Sequence, residues 1–312
     1  EDLLVVPPLL ASAAPLPLWG SLKVGAHSVT GRKQRDLDWQ NQDVHFALPL
    51  GPYRLLIGVL DGHGEYGREV AEGVRALLMQ LAPGFFAGAI SDTPALLPDV
   101  LARLFAVAQE SLERGGVADF SGTTATLALV DMQLGALLSA HVGDSRLVLA
   151  SGGQVQFVTQ DHVVDDEAAQ HITASGGEAR ELVVSGIAAR RVFLAGQDYP
   201  GLSMARSLGD VQAHNVGVLA EPAVRAGLGL VRGSVVIIAS DGVWEKVSSE
   251  ESVALVRAAG GDGEAAAAAL VAEARARTAP CARPPRRRSL ARRRRRAINS
   301  ATSSSTRSQG RT

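Results

Sequence analysis

Cysteine is all but missing: the only one is Cys281, near the C-terminal end. A disulfide within the chain is therefore excluded, and so is a zinc site of cysteine type. Such scarcity favours a reducing compartment, cytoplasmic or nuclear. No run of about 18 apolar residues occurs, so no membrane span is expected. The apolar segment from Leu3 to Leu18 is broken by four prolines and has no basic stretch before it, which argues against a signal peptide. The chain starts at Glu1 rather than Met, which leaves room for a targeting segment upstream. Acidic residues are absent after Glu273, whereas 13 of the 31 Lys and Arg residues, all Arg, lie there. The preceding residues carry 18 basic against 32 acidic groups, so the overall charge of −1 hides an acidic body of about −14. An acidic body disfavours nucleic acid as a ligand and suits cations. The Arg runs lack interleaved aromatics, and no nucleic-acid partner is expected.

What is present suits one enzyme-sized domain, since 46% of residues are hydrophobic. Residues 1–20 read as an irregular, Pro-rich lead-in, 21–278 as the folded domain, and 279–312 as a disordered Arg/Ser-rich tail. No internal repeat is evident. Leu55 to Leu60 is a continuous apolar run, expected of a strand buried on both faces, and it ends at Asp61-Gly62-His63-Gly64. Val70, Val74, Leu77, Leu78 and Leu81 then fall at helical spacing, as do Leu101, Leu104, Phe105, Ala108 and Leu112. Thr123 to Val130, Ala136 to Val142, Arg146 to Ala150 and Val155 to Thr159 are strands joined by connections short enough for an antiparallel meander. A short helix over Asp166 to Ser175 stops at Gly176-Gly177, and a second apolar strand, Val235 to Ser240, ends at Asp241-Gly242. Ser248 and Glu251 form a capping box, and Glu264 to Arg277 is a strong Ala-rich helix former. Meanders interleaved with helix pairs indicate an α+β fold with antiparallel sheets.

Two apolar strands thus end in Asp-Gly. One such pair is usually only a turn; two suggest carboxylates held rigidly at a sheet edge, with glycines that let the backbone approach a bound group. Hard divalent cations take such oxygen ligands.

The strings DGHGEYGREVAEGV, SGTTATLALV, AHVGDSRLVLAS, LSMARSLGD and VVIIASDGVWEKVSSEE, with Thr159 to His162 between them, resemble, in order and spacing, the motifs of the metal-dependent type 2C protein phosphatases from about Gly25 to Arg277. That resemblance implies two antiparallel β-sheets packed as a sandwich and flanked by helices on both sides, in four αββα layers. It implies hydrolysis of phosphoserine and phosphothreonine in proteins by a hydroxide bridging two Mg²⁺ or Mn²⁺ ions, without a covalent phosphoenzyme. Phosphorylated proteins would be the substrates and the chain a monomer. Asp61 would bridge the metals, the Gly62 carbonyl would complete one site, and Asp241 would come from the second strand. Asp43, in Asn41-Gln42-Asp43, would act through metal-bound water; Gln42 stands where many members have Glu. Asp144 and Asp210 match positions that hold a further, looser metal. His63 would protonate the leaving oxygen. The phosphate-gripping cation falls within Arg32-Lys33-Gln34-Arg35, with Lys33 fitting best and Arg32 and Arg35 as alternates. Asp161 and His162 read as structural. The stretch from Gly177 to Pro200, with Arg190-Arg191, matches a flap beside the family's site.

One family feature is missing. A final apolar strand opening with D-[DN]-[IVC]-T, which supplies another metal carboxylate, has no counterpart after the Glu264–Arg277 helix. Its loss is expected to leave a core sheet edge unpaired and makes an impaired, phosphoprotein-binding homologue the alternative.

Overall fold

A computed structural model describes residues 2–6, 22–31, 40–90, 94–184 and 187–278. Strands β1 (Asp2–Val6) and β2 (Gly25–Ser28) precede the hairpin of β3 (Asp43–Pro49) and β4 (Arg54–His63). Helices α1 (Gly67–Ile90) and α2 (Leu97–Glu113) follow. The meander runs through β5 (Gly122–Thr123), β6 (Ala125–Asp131), β7 (Ala136–Val142), β8 (Arg146–Ser151) and β9 (Gln154–Val158). Beyond α3 (Asp166–Ala174) come β10 (Gly177–Val184), β11 (Ile187–Leu194), β12 (Pro200–Leu202), β13 (Leu208–Gly209) and α4 (Val211–His214). The last elements are β14 (Ala223–Gly229), β15 (Val235–Ala239), α5 (Asp241–Trp244), α6 (Ser249–Ala258) and α7 (Gly263–Arg277).

One sheet has the order β13-β5-β4-β6-β7-β14, with β3 paired to β4; the other has the order β2-β1-β15-β8-β9. All these pairings are antiparallel. Side-chain alternation divides each central strand between two cores. Leu55, Ile57 and Val59 of β4 meet Leu147, Leu149, Val236 and Ile238 of the other sheet, while Leu56 and Leu60 pack under α1 and α2 with Leu78, Leu101 and Phe105. On the far side, Ile237 and Ala239 lie beneath Val243, Val253, Leu270 and Val271 from α5, α6 and α7. Four αββα layers result, and burial on both faces explains why β4 and β15 read as unbroken apolar runs.

The capping box forms as expected, with the Ser248 side chain accepting from Glu251 N–H and Glu251 reaching back to Ser248 N–H. Helix α1 continues past Leu81 and through Pro83, because Ala82 and the fully buried Phe86 keep its inner face in the core. The flap stretch is a hairpin of β10 and β11 with β12 beside it, over its own small core of Ile172, Val192 and Met204.

Two expectations are corrected. Asp2–Val6, read as irregular, is a strand; and the edge expected to be unpaired is occupied by it, with β1 bonded between β15 and β2. Leu3-Leu4-Val5-Val6 is short and closed by Pro7, so its local signal is weak; pairing with residues more than 200 positions away decides it. The rest of the lead-in from residue 7 to 21, the cationic stretch Arg32, Lys33 and Arg35, and the 279–312 tail lie outside the described residues.

Candidate metal centre

Strand β4 delivers Asp61 to the rim of the sandwich with its backbone clamped at both atoms. Its N–H donates to the Thr124 hydroxyl at 3.0 Å, and its carbonyl accepts from Thr124 N–H at 2.9 Å. Asp43 on β3 is its direct cross-strand partner, which sets the two side chains on one face with Cβ atoms about 5 Å apart. Arg68 holds the Asp43 segment by donating to the carbonyls of Asn41 and Asp43, both at 3.0 Å. At Gly62 a Cβ would strike the Gly67 carbonyl and come within 2.8 Å of the Gln42 carbonyl, so only glycine permits this approach. Asp241 opens α5 directly beyond β15; the Trp244 indole N–H, donating to the Ala239 carbonyl at 2.7 Å, secures that turn. Ser240 Oγ donates to Asp43 Oδ2 at 2.9 Å and ties the two sheets together at this point. Asp144 sits in the β7–β8 turn, entered through Gly143 at φ 90°; next to it the buried Ser145 Oγ is 2.7 Å from Thr124 Oγ1.

Asp43, Asp61, Gly62, His63, Asp144 and Asp241 all line one cleft of about 450 Å³. Crowding so many carboxylates in a place poor in water raises their proton affinity. Burial, then Asp43 and Asp241, hold Asp61 well above the ordinary carboxylate range. Asp241 is pushed up to about 7 by burial, then by Asp144, Glu245 and Asp43. Asp144 is raised chiefly by burial. A group of anions that resists ionisation while built on rigid strand ends is matched to a positive charge.

The donor set fits a hard cation: Asp43, Asp61, Asp144 and Asp241 offer carboxylate oxygens and Gly62 a carbonyl. Among the described residues no three His, Cys, Asp or Glu side chains close on one point as a ready-made ion cage. The set therefore suits an ion that keeps several of its waters, as Mg²⁺ does.

Asp210, expected as a looser metal ligand, is placed against His63. It does not line the cleft with the other acids; its Oδ2 lies 2.7 Å from His63 Nε2 and accepts from Ser207 Oγ at 2.6 Å. Its φ of 45° makes it the one non-glycine residue with positive φ among the described residues, a conformation kept where a side chain must be aimed. Burial pulls the His63 pKa down, but the Asp210 carboxylate, by charge and hydrogen bond, and then Asp144 outweigh it; the net shift is upward. Gln42, standing where a glutamate would add charge, instead donates its amide to the Gly64 carbonyl at 2.9 Å and braces the loop after the metal motif. Sequence reasoning missed the Asp210 pairing, the Ser240 bridge and the Arg68 clamp. The first had a signal, since a histidine meant to carry a proton needs an orienting carboxylate.

A larger cavity, about 630 Å³, opens beside His141 and His162, whose rings stack with centroids 4.4 Å apart. Burial, then His141 and Arg206, lower the His162 pKa to about 3, and burial lowers that of His141, so both rings favour the neutral form. That cavity is lined by Arg206 and Arg225 together with Asp161, Asp165 and Glu167, so its charges are of mixed sign.

The sequence model of the family described as Protein phosphatase 2C matches residues 51–280. The chain belongs to this family. Among relatives, it is 42% identical over 145 residues to "Probable protein phosphatase 2C 12" of Oryza sativa subsp. japonica, covering 44% of this chain and 36% of that protein. It is 32% identical over 255 residues to the human "Probable protein phosphatase 1N", covering 76% of this chain and 53% of the relative. The chain spans 36% to 65% of the length of such curated relatives. A serine-threonine phosphatase 2C from Toxoplasma gondii matches in fold with a TM-score of 0.65 at 21% identity, over 76% of this chain and 84% of that one. A C. elegans sex determining protein matches with a TM-score of 0.62 at 21% identity, over 77% and 59%. Identities this low speak to the fold alone, and both agree with the αββα sandwich. Within the matched residues, Asp61, Gly62, His63, Asp144 and Asp241 line the acidic cleft.

Proposed function

We propose that the protein removes phosphate from phosphoserine and phosphothreonine in proteins, at a centre that takes two Mg²⁺ or Mn²⁺ ions. The observation that carries this reading is the convergence of Asp61, Asp241, Asp43 and Asp144 on one cleft, with His63 on the same wall. Asp61, the Gly62 carbonyl and Asp241 would hold the ions, with Asp43 acting through water and Asp144 serving a third, looser ion. When bound, the ions supply an activated water and neutralise charge on the phosphate oxygens. His63 carries a proton that Asp210 stabilises at Nε2, and it is the acid for the departing Ser or Thr oxygen. Asp210 is a positioning residue that also sets the charge of His63. The phosphate-gripping role falls to Lys33, with Arg32 and Arg35 as alternates. Membership of the phosphatase 2C family supports phosphoprotein substrates.

Hydrolysis of a phosphothreonine peptide by the full chain, followed against Mn²⁺ concentration, tests the reading. Activity should be absent without metal, saturate with it, and disappear in both Asp61→Asn and Asp241→Asn while far-UV circular dichroism is unchanged. A chain that binds the phosphopeptide without turnover at any Mn²⁺ concentration would instead be the impaired, phosphoprotein-binding homologue.

A further inference from the structure

Alternate residues of β7 face the opposite sheet. Leu138, Ala140 and Val142 pack under α1 and α2, whereas Leu137 meets Leu147 and Leu149 across the sandwich. Ser139 and His141 share the face of Leu137. The interior of a sandwich ordinarily takes apolar side chains at such positions. Here two polar ones line the cavity of about 630 Å³ between β7, β14 and the end of β9. Its volume lies in the range of about 300–1,000 Å³ usual for small-molecule sites.

The protein satisfies neither polar group. Ser139 is 1% exposed and His141 4%, yet Ser139 Oγ and His141 Nδ1 have no hydrogen-bond partner among the described residues. His141 Nε2 lies 2.9 Å from the Gln160 carbonyl. A carbonyl only accepts, so Nε2 carries the proton of the neutral ring and Nδ1 is an acceptor. The Ala223 carbonyl, on the paired strand, approaches the ring as a further acceptor and closes no hydrogen bond with Nδ1. Buried polar groups left unpaired are destabilising, so a donor facing Nδ1 and a partner for Oγ have a clear use.

The cations of the cavity stand on the same side. Arg225 is the direct cross-strand partner of Ser139 and shares its face. Arg206 carries its charge close enough to lower the pKa of both His141 and His162. Neither arginine forms an ion pair among the described residues. The acids are placed differently. Asp161 is held by two nitrogens of Arg146 at 2.9 and 2.6 Å, Asp165 caps α3, and Glu167 is exposed on α3. Phe157 and Leu219 add apolar wall.

We propose that this cavity is a ligand site distinct from the metal cleft, and that it takes a small organic acid bearing a hydroxyl or amino group. The carboxylate binds Arg225, Arg206 and Ser139 Oγ. The carbon body lies on Phe157 and Leu219, and the hydroxyl or amine donates to His141 Nδ1. Residues two apart on a strand are about 7 Å apart, which sets the spacing of acid and donor. The site stands behind the turn that carries Asp144, since His162 in its wall exchanges two hydrogen bonds with Gly143. The assignment does not depend on the metal reading.

The probe is para-hydroxyphenylacetate, whose acid and hydroxyl lie at opposite ends of a ring. Binding to the full chain in metal-free buffer is read by calorimetry and by the NMR resonances of the His141 and His162 rings. The probe should bind saturably and shift both rings. Phenylacetate, without the donor, and tyrosol, without the acid, should each bind about tenfold more weakly, as should the probe to Arg225→Ala. Ser139→Ala should weaken binding to a similar degree while its melting temperature is unchanged or raised, because an unpartnered buried hydroxyl is gone. A serine that serves the fold alone would show the reverse. If the probe at millimolar concentration shifts neither ring, or if the three compounds bind equally, the cavity holds only water and the assignment falls. Binding that persists undiminished in both Arg225→Ala and Ser139→Ala belongs to arginines elsewhere on the chain and overturns it equally.

Discussion

His63 and Asp210 divide the acid chemistry between a donor and the group that sets its charge. Replacing His63 by Gln should slow hydrolysis of a phosphothreonine peptide by about 10²–10³-fold. An aryl phosphate, whose leaving group needs little protonation, should lose much less. Steady-state rates on both substrates check this, and equal losses would mean that His63 serves only the fold. Asp210→Asn keeps a side chain able to accept a hydrogen bond but removes the charge that outweighs burial at His63. The His63 pKa then falls, so the alkaline limb of the peptide rate profile should move to lower pH. A profile that does not move would separate Asp210 from the acid. The acid role of His63 was legible in its motif, but the Asp210 effect was not, because the Leu208-Gly209-Asp210 motif looks like a ligand position until the chain folds Asp210 onto His63 from 147 residues away.

Elements built from unbroken apolar runs were the legible ones. Strands β4 and β15 are buried on both faces, so each residue had to be apolar, and the Asp-Gly at each end marked where the sheet meets the cleft. The helices under Leu78 and Leu101 showed their period for the same reason. Strand β1 was not legible, being five residues before a proline and held by partners distant in sequence. Strand β14 was missed too, since Gly227 and Gly229 dilute its pattern and its side chains are largely exposed. The contact of α7 with β2 is glycine on glycine: a Cβ at Gly25 would overlap the Gly263 backbone, and one at Gly263 would lie 2.7 Å from Gly25 N. Gly25→Ala should therefore destabilise the fold by about 1–3 kcal/mol, measured by urea unfolding. A cost near zero would mean that α7 can lift from the sheet freely.

At the scale of the whole molecule, the acidic cleft couples folding, protonation and metal. Burial and neighbouring acids raise Asp241 to about 7 and Asp61 above its ordinary value. In the unfolded chain both ionise near pH 4. Between these limits the metal-free folded state binds more protons than the unfolded one, so this contribution to stability falls as pH rises. It is neutral below about pH 4 and fully unfavourable once the pH exceeds the folded values. A dication removes the repulsion, so the gain in melting temperature on adding Mn²⁺ should grow steadily from about pH 5 to pH 8. His162 acts in the opposite sense: with a folded pKa of about 3 it stays neutral, and its contribution is lost as pH drops below the ordinary histidine value. It lines the larger cavity and not the cleft, and comparing melting with and without Mn²⁺ at each pH separates the two contributions. The most direct measurement is calorimetry of Mn²⁺ binding at about pH 6 in buffers of different ionisation enthalpy, which counts protons released per ion. An acidic cleft that is a metal centre releases protons on binding, and Asp241→Asn abolishes both the binding and the release. Binding without proton release, or binding indifferent to Asp241→Asn, would contradict it.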